Sequence, residues 1–314
     1  MPGKLEYEVK WNKKRMFGIE FEFSSTGDSA KNSIKSIIMD VLNKEKSSHS
    51  VEIRGWEHTV NNHNIWVCKP DSSCGLEVCT PPLKGPNDLK LVGKVVDALK
   101  ANNIPFNNNC GLHVHLDLSD FSEDQMYNLL MYWVKIEHNI LYAHPEHRRN
   151  NNRYCEAAIN KVKNWVANKK YTGKDLYQYL RRHRGAINPC YWDRRSTMEF
   201  RMGEMTLDSE SVKNRVRFFI LFADTCKLLV APDNLNLFSP LQMYQMLGLY
   251  NDPEDFIQKK FSPAMNSMRH WLLDRMIEYM TDSRLKKYHD SLIDIKKNIS
   301  EDIECTLSET EEEC

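Results

Sequence analysis

Lysine plus arginine equals aspartate plus glutamate, 43 against 43 in 314 residues, so no overall field draws this chain onto nucleic acid or an anionic membrane. The charged opening MPGKLEYEVKWNKKR has no apolar signal core, and the apolar run FFILFADTCKLLVA (218–231) is broken by Asp224 and Lys227, which argues against a spanning helix. Nine cysteines, an odd set without CxxC spacing and with Cys305 and Cys314 in a polar tail, suit a reducing compartment, so a cytoplasmic protein is expected.

In chain order, the patterning predicts strands over 15–23 and 63–80, helices over 28–45 and 86–103, and a strand over 111–118. Met126, Leu129, Leu130, Trp133, Ile136 and Ile140 recur at helical spacing and predict a helix over 122–142. HPEHRRNNNR (144–153) has loop composition, further helix extends to about Arg182, and strands near 186–191 and 196–202 precede a helical remainder. Leu285, Tyr288, Leu292, Ile295 and Ile299 step by three and four, an apolar stripe for docking the last helix. Past Ser300 the acidic EDIECTLSETEEEC predicts a disordered tail over 301–314.

GIEFEF (18–23) places Glu20 and Glu22 two positions apart. Successive strand side chains point to opposite faces, so Phe17, Ile19, Phe21 and Phe23 pack while the two carboxylates project together from the other side. The same division recurs in GLHVHLDL, where His113, His115 and Asp117 oppose Leu112, Val114, Leu116 and Leu118. STMEFRM sets Thr197, Glu199 and Arg201 against Met198, Phe200 and Met202, and GLEVCT sets Glu77 against Leu76 and Val78.

A single polar strand face is ordinarily just solvated. Four such faces carrying carboxylates and imidazoles, with hardly a lysine among them, need a cation, because clustered carboxylates raise one another's pKa. The oxygen-rich set favours Mg²⁺ or Mn²⁺. His113 and His115 alone would equally start a zinc or iron centre, so a metalloenzyme built on the His-x-His strand is an open alternative. Cys79 shares the face of Glu77 and reads as packing.

GIEFEF, GLEVCTPPL, CGLHVH and TMEFR, in that order, resemble the amidoligase branch of the carboxylate-amine ligase superfamily, which includes glutamine synthetase and the glutamate-cysteine ligases. The resemblance runs from about Arg15 to about Leu207. It implies an α+β fold in which a curved, mainly antiparallel sheet forms a half-funnel with helices on its outer face, as in the glutamine synthetase catalytic domain. It further implies ATP with Mg²⁺ or Mn²⁺ inside, and an ATP-dependent ligase forming an amide through an acyl phosphate, with ADP and phosphate released. By the same resemblance Glu20, Glu22, Glu77, His113 and Glu199 are metal ligands, His115 lies near the nucleotide phosphates, and Arg201 faces the transferred phosphoryl group. Lys69 is a further phosphate or substrate contact. The residue types suit that chemistry, since phosphoryl transfer asks mainly for positioning and charge neutralisation and needs no protein nucleophile.

Only a short segment precedes GIEFEF, so the N-terminal β-grasp domain of glutamine synthetase is not expected. The expected division is a catalytic domain over 1–264, helices over 265–300 packed on it, and the tail. Recognition of substrate is assigned to loops 144–154 and 183–195, with Arg149, Arg153 and Arg184 as contacts for a carboxylate or phosphate. Partners are a small-molecule or peptide carboxylate and an amine, with no nucleic acid and no membrane, in a monomer or small homo-oligomer. A non-catalytic relative that binds nucleotide or metal is the second alternative.

Overall fold

The computed structural model describes residues 5–56, 63–149, 155–159, 185–189, 196–232, 234–251, 257–280 and 286–311. The first half contains β1 (Leu5–Val9), β2 (Met16–Phe23), α1 (Gly27–Lys44), β3 (Ser50–Ile53), β4 (Ile65–Asp71), β5 (Gly75–Cys79), β6 (Leu83–Lys84), α2 (Gly85–Ala101), β7 (Gly111–Asp117) and α3 (Glu123–Leu141). Then come β8 (Ile187–Asn188), β9 (Thr197–Glu204), α4 (Ser209–Leu228), α5 (Pro240–Met246), β10 (Ile257–Phe261), α6 (Pro263–Tyr279) and α7 (Lys286–Glu311).

One open sheet runs in the order β3-β4-β5-β2-β7-β9-β8, with β6 pairing the start of β2. Every pairing in it is antiparallel except β3 with β4. A separate parallel pair joins β1 to β10, tying the first described residues to a segment far along the chain. Among the described residues, no helix is long and apolar enough to cross a membrane.

The alternation seen in sequence decides which face packs. Phe17, Ile19, Phe21 and Phe23 of β2, Leu112, Val114 and Leu116 of β7, and Met198, Phe200 and Met202 of β9 are all buried in one core beneath α1 to α4. Each such phenylalanine contributes roughly 1.5–3 kcal/mol through the apolar area it withdraws from water. Phe200 stacks on Phe219 of α4 at 4.1 Å between centroids and meets Trp133 of α3 at 5.3 Å, so β9 is anchored from behind by two helices. Helix α3 starts where the sequence SEDQ supplies a capping box: Ser122 and Gln125 each accept from the other's backbone N–H. Buried Arg15 fixes the start of β2 against the end of β7 by donating to the Asp117 carbonyl at 2.6 Å and pairing with Asp120 and Asp224.

Glu204, at the end of β9, turns to the helical side. Arg215 of α4 and Arg275 of α6 both donate to its Oε1, and His144 Nδ1 lies 2.6 Å from its Oε2. Gly203 next to it is required by space, since a Cβ there would stand 2.6 Å from the Leu112 carbonyl oxygen. Burial works against the Glu204 charge, but Arg215, His144 and Arg275 outweigh it and hold the carboxyl well below its usual range.

The predicted helices through 142 and the strands over 15–23, 111–118 and 196–202 are present within a few residues of their expected ends. The stretch expected as strand over 63–80 is two strands, β4 and β5, joined by a turn, and β8 covers only 187–188 of the expected 186–191, of which 190 and 191 lie outside the described residues. The helix expected up to Arg182 lies mostly outside the described residues. The final helix differs from expectation. It continues through Glu311 where a disordered tail was expected from 301, and Tyr288 of the proposed stripe is 40% exposed while Leu292, Ile295 and Ile299 are buried. Leu285 is outside the described residues. Strands β1, β3, β6 and β10 were not expected.

Burial pushes His144 down to about 4, so its ring stays neutral in the fold at pH values where the unfolded chain has already protonated it, below about 6.5. The unfolded state therefore binds more protons across this window, and stability falls as pH drops from about 6.5 towards 4. His138, likewise pushed to about 4 by burial, adds to the slope, and depressed Glu204 extends the loss to lower pH. Urea unfolding measured across this range should show the decline, with a shallower slope in His144→Asn; an identical slope in that variant contradicts the assignment.

Candidate active site

Strand order and register convert the scattered carboxylates into one patch. Lys69 of β4 stands opposite Glu77 of β5, which stands opposite Glu22 of β2. In the next row Cys79, Glu20 and His113 align across β5, β2 and β7. The third row aligns His115 of β7, Glu199 of β9 and Asn188 of β8. Between Leu112 and Val114 the ladder slips, so that Arg201 and Met202 both stand opposite His113. A bulge of this kind re-aims the side chains beside it.

His113 lies at the centre. Its Nδ1 is 3.1 Å from Glu20 Oε2 and 3.4 Å from Glu199 Oε1, and its Nε2 is 3.5 Å from Glu22 Oε1. Two compact groups share the imidazole, Glu20 with Glu199 and Glu22 with Glu77, each able to hold a cation; Glu20 also groups with Glu77 and Cys79, and Glu22 with Asp71 and Cys74. Glu22 Oε2 also accepts from the Gly111 N–H at 2.6 Å. Lys69 Nζ lies 2.7 Å from Glu77 Oε2, and Arg201 pairs with Glu199 Oε1. His115 Nε2 is 3.0 Å from Glu20 Oε1. Glu22, Glu77, His113 and Glu199 are buried, whereas the side chains of Glu20, His115 and Arg201 keep 23%, 20% and 17% exposure and form the accessible rim.

These neighbours perturb one another. Burial, then Glu20, pushes the Glu77 carboxyl up to about 8 against the pull of Lys69. Burial would raise Glu20 as well, but His115 and His113 outweigh it and hold Glu20 well below its usual value. His115 is raised to about 9: burial opposes its charge, and Glu20 followed by Glu199 overcomes that. Burial, with Glu77 and Glu20, pushes the Cys79 thiol up, so it is no nucleophile at neutral pH. A carboxyl kept protonated among carboxylates marks a patch one cation short, and this donor set of oxygens with one imidazole fits Mg²⁺ or Mn²⁺.

A family profile described as "Putative amidoligase enzyme" matches residues 13–223, more than half of the chain. The chain belongs to the amidoligase family. Comparison with curated proteins finds no match. The family is one of ligase-type enzymes, and every residue of the patch lies inside the matched segment.

The amidoligase brings together eight of the residues singled out in sequence: Glu20, Glu22, Lys69, Glu77, His113, His115, Glu199 and Arg201. Arg149 is not with them. Its donors reach the carbonyls of His144 at 2.7 Å and Tyr279, with the guanidinium lying over the Tyr142 ring, so it ties a turn to α6 rather than facing substrate. Arg153 and Arg184 lie outside the described residues. The patch also contains a cation beside its carboxylates, Lys69, whose Nζ lies against Glu77.

Two further residues support the patch. Arg148, one place before Arg149 in a 3-10 turn, is buried and donates to the Arg201 carbonyl at 2.9 Å, bracing the bulge. Asn188 donates from Nδ2 to Glu199 Oε2 at 2.9 Å. No periodicity marks either one, since a single turn and a two-residue strand are too short to show it.

Gly111 leaves the space in which these groups meet. A Cβ there would stand 2.8 Å from Arg148 Nη2, 2.9 Å from His113 Nε2 and 3.2 Å from Glu22 Oε2. Gly111→Ala should therefore displace the Arg148 and His113 side chains, at a stability loss of about 1–3 kcal/mol. Nuclear magnetic resonance of the His113 ring in the folded variant checks this, and an unchanged ring environment contradicts it.

Proposed function

We propose that the amidoligase joins a carboxylate to an amine, converting ATP to ADP and phosphate by way of an acyl phosphate. The observation that carries this reading is the division of four carboxylates about His113, beside a rim made of Arg201 and His115. Such a surface suits the charges of a triphosphate and an incoming carboxylate, and it has no activated nucleophile of its own. On this reading the open sheet is the half-funnel of the glutamine synthetase catalytic domain.

Mg²⁺ or Mn²⁺ would be held by Glu20, His113 and Glu199 and by Glu22, Glu77 and His113, and would supply neutralising charge for the phosphates. The chain's own groups do the rest. Arg201 presents a planar, permanently charged fork at the rim, and Glu199 fixes its direction. A carboxylate oxygen of the substrate attacks the γ-phosphorus, ADP departs, and the acyl phosphate retains the charge that Arg201 is placed to meet. Lys69, buried beside Glu77, adds a cation at the far side, and charged His115 adds one beside Glu20. The amine then attacks the acyl carbon, and phosphate leaves with one former carboxylate oxygen.

Supplying amino acids labelled with heavy oxygen in their carboxyl groups, together with ATP, Mn²⁺ and hydroxylamine, tests the sequence of bonds. Label should appear in inorganic phosphate in step with hydroxamate, and Arg201→Lys should lose most of this activity because it keeps the charge and loses the fork. Label in AMP, or unlabelled phosphate accompanying hydroxamate, would falsify the acyl-phosphate route.

A further inference from the structure

Asn188 sits beyond Glu199 in the third row of the patch, on the side away from His113. A carboxylate only accepts hydrogen bonds, so the amide nitrogen of Asn188 must face Glu199, and it does so at 2.9 Å. The amide oxygen is thereby turned away. Asn188 Oδ1 is shielded from solvent and has no hydrogen-bond partner among the described residues. Leaving such an acceptor unmet is costly, so a donor from water or from a bound ligand is needed to meet it.

The reacting groups of the proposed ligase differ in what they offer. Phosphate oxygens and a substrate carboxylate are acceptors and cannot satisfy Oδ1. An amine carries N–H in either protonation state. Both oxygens of Glu199 already have partners, Oε1 in Arg201 and Oε2 in Asn188. Oδ1 is therefore the unmet acceptor at this end of the row, on the side of Glu199 and the Arg201 fork where the acyl phosphate would lie. We propose that Asn188 Oδ1 receives the amine substrate, holding its N–H so that the nitrogen lone pair faces the acyl carbon. This rests on the ligase reading and deepens it, placing the amine at the β8 edge of the sheet and the phosphates towards His113.

The test compares wild type, Asn188→Leu and Asn188→Ser with ATP, Mn²⁺, pooled amino acids as carboxylates and hydroxylamine as the amine, reading hydroxamate and ADP. Asn188→Leu should raise the half-saturating concentration of hydroxylamine by about tenfold, the loss expected for one hydrogen bond in a site. The half-saturating concentration of ATP should move far less. Asn188→Ser, whose hydroxyl can donate to Glu199 and still accept, should recover part of the loss. An equal or larger shift for ATP would mean that Asn188 only steadies Glu199, and a drop in bound Mn²⁺ in Asn188→Leu would make Oδ1 a metal ligand; either overturns the assignment. Unchanged hydroxylamine saturation in an active Asn188→Leu overturns it while leaving the ligase reading intact. Wild type that consumes no ATP and forms no hydroxamate removes both.

Discussion

A slip of one residue between β2 and β7 would turn Glu20 and Glu22 into the helices and expose Phe21 and Phe23. The strands' two-residue period makes the packed face and the polar face a single choice. Burial of Phe17, Ile19, Phe21 and Phe23 under α1 to α4 therefore fixes where the carboxylates point. The same holds for β9, whose Phe200 is clamped by Phe219 and Trp133 while Glu199 and Arg201 stand on the opposite side. Site geometry here is a by-product of core packing, which explains how four strands, β2, β5, β7 and β9, deliver ligand groups to within a few ångströms of one another.

Charge balance is the second condition. Glu20, Glu22, Glu77 and Glu199 would repel one another if left alone, but Lys69 pairs with Glu77, Arg201 with Glu199, and His115 with Glu20, while Glu22 takes the Gly111 N–H. Glu77 nonetheless stays protonated up to about 8, which leaves it able to exchange its proton for a metal. Glu204 behind the same strand follows the other pattern, with its charge fully met by Arg215, Arg275 and His144, and it serves to fasten β9 to α4 and α6.

Strands β2, β5, β7 and β9 were legible because each has one apolar face, and the carboxylates were legible for the same reason. Glu204 carried a signal too, since it shares parity with Met198, Phe200 and Met202 and so falls on the packed face. Strand β3 has only four residues, and β1 pairs with β10 across most of the chain, so neither shows a local pattern. Arg148 and Arg149 are adjacent in a single turn, and only the tertiary contacts decide that the first braces Arg201 while the second holds Tyr279. Asn188 was hidden because its role depends on the partner strand rather than on its own neighbours.

On the proposed function, the two carboxylate groups about His113 are a pair of cation sites. Equilibrium dialysis of Mn²⁺ against metal-free protein, with ADP present, tests it most directly. The account predicts two ions per chain, one lost in Glu22→Gln, a different one lost in Glu199→Gln, and both weakened in His113→Ala. One tightly held zinc or iron per chain, lost equally in His113→Ala and His115→Ala and indifferent to Glu22 and Glu77, would contradict it.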